Sequence, residues 1–412
     1  MIKPTDENIM SVRTINGQDH PTSPEMIHGD KTNPRITVIL SPFHKCMLVM
    51  GSVPPTSKDN PKLKIYNNLV LESVTLQAVM AVINTGSDIF HFDQTESIFR
   101  SLQNVVMVLT SHCSLRLMQT SYNSIMEMLQ EHCYLIAPDD KILKFLKKCS
   151  RLFPFFGCLH AFVFITDEGY GILNDPIEIT AERLPYGFRG LGIEYPEFAL
   201  LVVTFQRFVY SIFVQSAITH YMFCYALICF CLSQIFKAFT EYTTQKLKTI
   251  KNDNSESIRG ICNLYLQLCA KVKTINNIFD NVVFFWICNA VCNVCLVINS
   301  FFVSNNDRSF FLLNVPLSIV SFAGVLAISI GADSVTKHGS SLVPILSSFL
   351  SENMEYQHNI FNLCKMMIDK MMIDPPCLTA WGCITINKSL VMKILSMMVS
   401  YLILLVQMTN TQ

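Results

Sequence analysis

Long apolar stretches alternate with polar ones along this chain, and their lengths set the first expectation. Four runs stand out after residue 150: FPFFGCLHAFVFI from Phe153, the stretch 198–239, VVFFWICNAVCNVCLVINSFFV (Val282–Val303) and FFLLNVPLSIVSFAGVLAISIGA (Phe310–Ala332). A fifth covers roughly Asn387 to Met408. Each can contribute to the ~20 residues that cross ~30 Å of hydrocarbon. Two weaker stretches precede them. Residues 67–90 carry Glu72, Gln77 and Asn84, and 101–118 carry His112 and Arg116. Polar groups at such positions face a bundle interior or cavity rather than lipid. The stretch 36–55 is split by Pro42 and Lys45 and reads as an interfacial segment. The pattern predicts an all-α membrane protein with seven transmembrane helices.

One run is too long for a bilayer. Residues 198–239 are 42 residues without proline or glycine, about 63 Å of helix at 1.5 Å per residue. The fourth helix should therefore project into the cytosol. Residues 257–280 lead into the fifth span with helical periodicity, and 341–373 approach the seventh before Pro375, Pro376 and Gly382 interrupt. Such projecting ends predict a cytosolic anchor domain. The expected segments are a tail with an interfacial segment (1–64), spans one to four (65–240), an anchor segment (241–281), spans five and six (282–332), a second anchor segment (333–386) and a last helix (387–412).

Composition agrees. The 412 residues are 50% hydrophobic and 15% charged, with zero formal net charge, so nothing points to nucleic acid. The polar first 35 residues hold no basic segment followed by an apolar one, and no cleavable signal peptide is expected. Charge distribution sets orientation. With the amino terminus inside, the predicted cytosolic stretches hold 23 Lys and Arg against 4 outside. The carboxyl terminus is then extracellular, inverted relative to a G-protein-coupled receptor. None of the 16 cysteines falls in a predicted outer stretch. The one glycosylation sequon, at Asn387, lies on the cytosolic side.

The last helix carries the sharpest pattern. Steps of four and three from Ser389 give Lys393, Ser396, Ser400, Leu404 and Gln407, one helix face in an otherwise apolar segment. Such a stripe marks either a hydrogen-bonding seam between helices or a water-lined passage. Ser400-Tyr401, five apolar residues, then Gln407 resembles the Thr-Tyr-x5-Gln signature of arthropod gustatory receptors, in the same place near the carboxyl end. Ser400 stands where Thr is usual and Met408 where Phe is usual.

The resemblance implies a chemosensory, ligand-gated, non-selective cation channel in the plasma membrane. Four subunits, as a homotetramer or with related chains, would surround one pore lined by each seventh helix. Gln407 would ring its outer part, Leu404 and Met408 would form an apolar constriction, and Ser400 and Ser396 would line the passage below. Tyr401 would brace the helix. Lys393 would snorkel to headgroups or sit in a wide vestibule. The family's ligand pocket, for a small organic tastant or internal ligand, lies in the outer half of the membrane domain. Here it would draw on Gln206, Arg207 and Tyr210 of the fourth helix, with Phe162, Phe164 and Asn314 from neighbours.

Plainer readings stand beside these. Arg207 would serve equally as an ion-pair partner of Glu197 or Glu168, and His112 as a buried hydrogen-bonding histidine. The loop 166–197, with seven acids, reads first as a solvated loop. Cys288, Cys292 and Cys295 share a face but have no histidine or carboxylate at ligand spacing, so packing explains them better than metal. No enzyme motif and no cofactor site is expected. The alternative function is a seven-span receptor that signals through cytosolic partners without a pore.

Overall fold

The computed structural model describes residues 44–45, 47–54, 61–90, 95–131, 195–249, 255–303, 308–352 and 358–409, with single residues at 144, 148, 151 and 162. Nearly all of this is helix: α1 (Pro61–Phe90), α2 (Thr95–Glu131), α3 (Pro196–Tyr210), α4 (Ser216–Thr249), α5 (Ser255–Val303), α6 (Arg308–Gly339), α7 (Val343–Glu352), α8 (His358–Ile373) and α9 (Lys388–Thr409). A π-helical turn, Ser211–Gln215, joins α3 to α4 without a break. An antiparallel hairpin, β1 (Thr379–Ala380) with β2 (Ile384–Thr385), separates α8 from α9.

Local chemistry sets the ends. Proline opens α1 and α3, where its missing N–H costs nothing. Lys246 and Lys248 close α4 against its negative dipole end. Asn387 caps α9 by accepting the Leu390 N–H at 3.0 Å on its side chain. Among the described residues, three stretches are long and apolar enough to cross a membrane: Leu200–Thr249, Glu256–Ile298 and Ser318–Ser351. Residues 257–280, read from sequence as leading into a span, are continuous with the apolar run that follows, since α5 runs 49 residues unbroken.

Helix directions follow from paired residues. Met222 and Cys229 of α4 meet the positions of Gly324 and Gly331 on α6. Further along, Ser233 bonds His338 at 2.9 Å and Thr240 bonds Ser341 at 2.9 Å. Both members advance together, so α4 and α6 run parallel. In contrast, Thr75–His112 and Asn67–Gln119 advance in opposite senses, so α1 and α2 are antiparallel. The α4–α6 seam is close because α6 is small there. A Cβ on Gly331 would sit 2.9 Å from the Cys229 Cβ and 3.3 Å from the Ala226 carbonyl oxygen. Close backbone approach of this kind replaces the hydrophobic drive that lipid removes.

Aromatic side chains fill the bundle beneath. Trp286, Phe279 and Tyr225 are fully buried, with Tyr225 and Phe279 centroids 4.8 Å apart. The Trp286 indole N–H donates to Ser114 Oγ at 2.9 Å, which satisfies its one polar atom. Residues 47–53, read from sequence as interfacial, are tucked into the base of α1, α2 and α4. Met47, Ser52 and Val53 are buried there; Ser52 shares a 2.8 Å hydrogen bond with Tyr221, and Gln119 donates to the Gly51 carbonyl at 2.8 Å. Gly51 takes φ of 66°, and a Cβ there would come within 3.0 Å of Val70. Residues 1–43, 46 and 55–60 lie outside the described residues, as does the first long apolar run, Phe162 excepted.

Gly331→Val should wedge the seam apart and cost about 1–3 kcal/mol, the usual range for overpacking. Gly86→Ala, whose Cβ meets nothing within 4 Å, is the matched control. Thermal melting of purified protein in detergent should show a clear drop for the first and none for the second.

Candidate functional site

Two features meet on α5: the root of α9 below and a polar layer above. The lower one is a network of hydrogen bonds. The Thr379 N–H donates to Asn276 Oδ1 at 2.7 Å, and Asn276 Nδ2 donates to Thr379 Oγ1 at 2.9 Å. The Thr379 hydroxyl in turn donates to Asp280 Oδ1 at 2.8 Å. The same carboxylate oxygen accepts the Gly382 N–H at 2.9 Å, and the Asp280 carbonyl accepts the Trp381 N–H at 3.1 Å. The hairpin before α9 is thus pinned to one turn of α5.

Trp381 sits there with φ of 55°. A bulky residue in the left-handed region costs on the order of 1–3 kcal/mol and persists only where its surroundings over-determine it. Here the N–H bond and edge-on packing against Phe284, at 4.6 Å between centroids, supply that constraint. A second, weaker tie is the Lys388–Asp333 ion pair at 3.3 Å, between α9 and α6.

Above its root, α9 packs on α5 and α6 through Val391, Ile394 and Met398, all buried. Tyr401 and Leu402 extend this face half-buried, with Cys295 of α5 an electrostatic neighbour of Tyr401. The predicted stripe lies elsewhere. Ser389, Lys393, Ser396, Ser400, Leu404 and Gln407 are all exposed, centred roughly 150° around the helix from the packed face at 100° per residue. The Ser400 hydroxyl donates to the Ser396 carbonyl at 3.0 Å within the helix. An exposed apolar flank, Met392, Leu395, Val399 and Ile403, completes the surface. Met408 belongs to α9, but its side chain lies outside the described set.

The polar layer sits higher, between α2, α5, α6 and the π turn. Gln103 Nε2 donates to Asn293 Oδ1 at 2.5 Å, and Ser318 Oγ reaches the Asn293 carbonyl at 3.4 Å. The Tyr210 hydroxyl donates to Asn104 Oδ1 and lies 4.0 Å from Met107 Sδ. The Ser111 hydroxyl donates to the Phe213 carbonyl at 2.8 Å, a group inside the π turn. Single π turns often mark functional sites because they leave backbone groups for other partners. Two further acceptors, Gln215 Oε1 and Asn289 Oδ1, are buried without a hydrogen-bond partner.

Of the predicted pocket residues, Tyr210 is therefore in this layer. Gln206 adjoins it, its carbonyl accepting from Gln77 Nε2 at 3.3 Å. Phe162 is exposed. Phe164 lies outside the described residues, as do the side chains of Arg207 and Asn314. His112 is half-buried and 3.3 Å from Thr75 Oγ1, the plain hydrogen-bonding role. Among the described residues, no cluster of His, Cys, Asp or Glu is placed to hold a metal.

Tyr210→Phe and Asn104→Leu should each lower the melting midpoint, and the double variant should fall short of their sum. A coupling of about 1 kcal/mol is expected for such a pair.

A family model described as "7tm Chemosensory receptor" matches residues 40–411. Among solved structures, the chain is similar to the insect olfactory receptor OR5 from Machilis hrabei in complex with eugenol. Identity is 12% and the TM-score 0.62, over 91% of this chain and 100% of that one. A second OR5 structure from Machilis hrabei gives 12% identity and a TM-score of 0.56, over 90% and 97%. At that identity the likeness establishes the fold. No curated protein sequence matches. The family match leaves out little more than the polar tail, and it takes in both the hairpin root and the striped last helix: the chain belongs to the 7tm chemosensory receptor family.

Proposed function

We propose that this receptor is a gustatory-type, ligand-gated cation channel subunit of the plasma membrane, opened by a small organic ligand. The observation that carries the reading is the asymmetry of α9. One face is packed against α5 and α6, while Ser396, Ser400, Leu404 and Gln407 are turned away from the chain's own core. A serine and glutamine face has no reason to meet lipid. Four copies arranged about an axis would give it water and ions instead. Leu404, with Met408 one turn on, would then close the passage by excluding water, and Gln407 would ring the mouth.

Seven spans, amino terminus inside and carboxyl terminus outside, fit the directions of the described helices. α2 advances together with α3 and the π turn, since Asn104 meets Tyr210 and Ser111 meets Phe213, and α5 advances with the last segment, since Asn276 meets Thr379 and Cys295 neighbours Tyr401. A chain that crosses once more between α2 and α3 produces that relation. At the cytosolic end, Phe361, Met366, Met372, Ile373 and Trp381 expose apolar surface of the kind neighbouring subunits would cover. The ligand reading rests on the polar layer, where Gln215 and Asn289 hold buried acceptors to offer a hydrogen-bonding ligand. Eugenol, the molecule bound to OR5, is a small organic compound of comparable kind.

Tags at the two termini, stained on intact and permeabilised cells, test orientation: the carboxyl tag should be visible on intact cells and the amino tag only after permeabilisation. Whole-cell recording tests the pore. Leu404→Ser should raise ligand-independent current several-fold, and Gln407→Ala should change relative cation permeability with little change in surface level. A protein that reaches the surface, carries no current and responds only through cytosolic partners would overturn the channel reading.

A further inference from the structure

Beyond the identity of the pore helix lies the question of what moves it. We propose that Asp280 is the point through which a displacement of α5 is delivered to α9, acting as a positioning residue for the gate. The inference rests on the channel reading above.

The argument is mechanical. α5 is one hydrogen-bonded rod, and it carries both ends of the linkage. Asn293 and Asn289 belong to its upper part, and Trp286 is bonded across to Ser114. Asp280 lies six residues below Trp286, about 9 Å along the axis. Because no break in the helix separates them, a shift at the asparagines is carried along it to Asp280. There it meets the hairpin through Asn276, Asp280 and Thr379, with Gly382 and Trp381 locked in place.

α9 is built to amplify what it receives. Its packed residues, Val391, Ile394 and Met398, are concentrated in its inner half, and beyond them the described side chains are half-buried or exposed. From Lys388 to Leu404 is about 24 Å, so a tilt of about 5° at the root carries Leu404 roughly 2 Å sideways. The Lys388–Asp333 ion pair is the weaker polar tie at the root, because Lys388 is largely exposed and an exposed pair contributes little. Trp381 supports the assignment from another side. Its left-handed backbone is an observed outlier held by the main-chain carbonyl of residue 280, next to the Gly382 N–H that the Asp280 carboxylate fixes, and such outliers cluster at switch regions.

The test reads the gate without needing the ligand. Leu404→Cys is introduced, and its modification by an externally applied, positively charged thiosulfonate is followed as a rate, with the unsubstituted chain as background. Asp280→Ala and Thr379→Val should each raise that rate about fivefold or more by loosening the root. Asp280→Asn retains an acceptor at the same position and should restore the parent rate to within about twofold. Single-channel conductance should be the same in all, because none of these side chains is on the exposed stripe. If Asp280→Ala does not reach the surface, Thr379→Val decides. Unchanged rates in the variants that do reach the surface overturn the coupling role while the channel reading stands. A parent Leu404→Cys chain that is neither modified nor conducting at normal surface level removes the channel reading, and the coupling with it.

Discussion

Backbone amides in hydrocarbon have only one another to bond with, and most features of this chain are answers to that constraint. The long apolar helices do not stop at the length a bilayer requires. α5 continues 49 residues and α3–α4 continue through a π turn, so few backbone groups are released where lipid would leave them unpaired. The same constraint governs side chains. Trp286 takes Ser114, Gln103 takes Asn293, and Tyr210 takes Asn104, each satisfying a polar atom inside the bundle. Where backbone does leave helical geometry, at residues 379–385, it is at the foot of α5 and is hydrogen-bonded on arrival.

Cohesion comes from fit rather than from exclusion of water. Gly324 and Gly331 let α6 approach α4 so closely that a Cβ on either would come within 3.0 Å of Met222 or 2.9 Å of Cys229. Tyr225, Phe279 and Trp286 fill the space between α4 and α5 with rings 4.8–6.2 Å apart. Cysteines act as small apolar groups in the same packing: Cys224, Cys229 and Cys231 are all buried.

Much of this was legible in the sequence, for reasons of period. The face shared by Ser396, Ser400, Leu404 and Gln407 follows from steps of three and four, and in the structure those residues are exposed, as is the apolar flank beside them. The continuity of 257–280 into the fifth span followed from unbroken helical spacing. The short motif Ser400-Tyr401…Gln407 pointed to the chemosensory family that the chain proves to belong to. What could not be read was long-range. Asp280 looks in sequence like a charge at the end of a span, and its partners at Thr379 and Gly382 are about a hundred residues away. Gln103 and Asn293 are likewise far apart, and neither alone announces the other. The π turn has no local marker, because Ser211–Gln215 contains neither proline nor glycine.

That turn has an evolutionary consequence. A π turn holds one residue more than the α-helix would place there. Because the extra residue is taken up inside the turn, loss of a single codon within 211–215 would restore regular helix with little rotation of α3 against α4. Tyr210 would keep facing Asn104, and the change would fall on the turn's own backbone, where Ser111 now finds the Phe213 carbonyl. A gene carrying such a turn can therefore gain or lose a residue, and the backbone acceptor it frees, without re-aiming the side chains on either side.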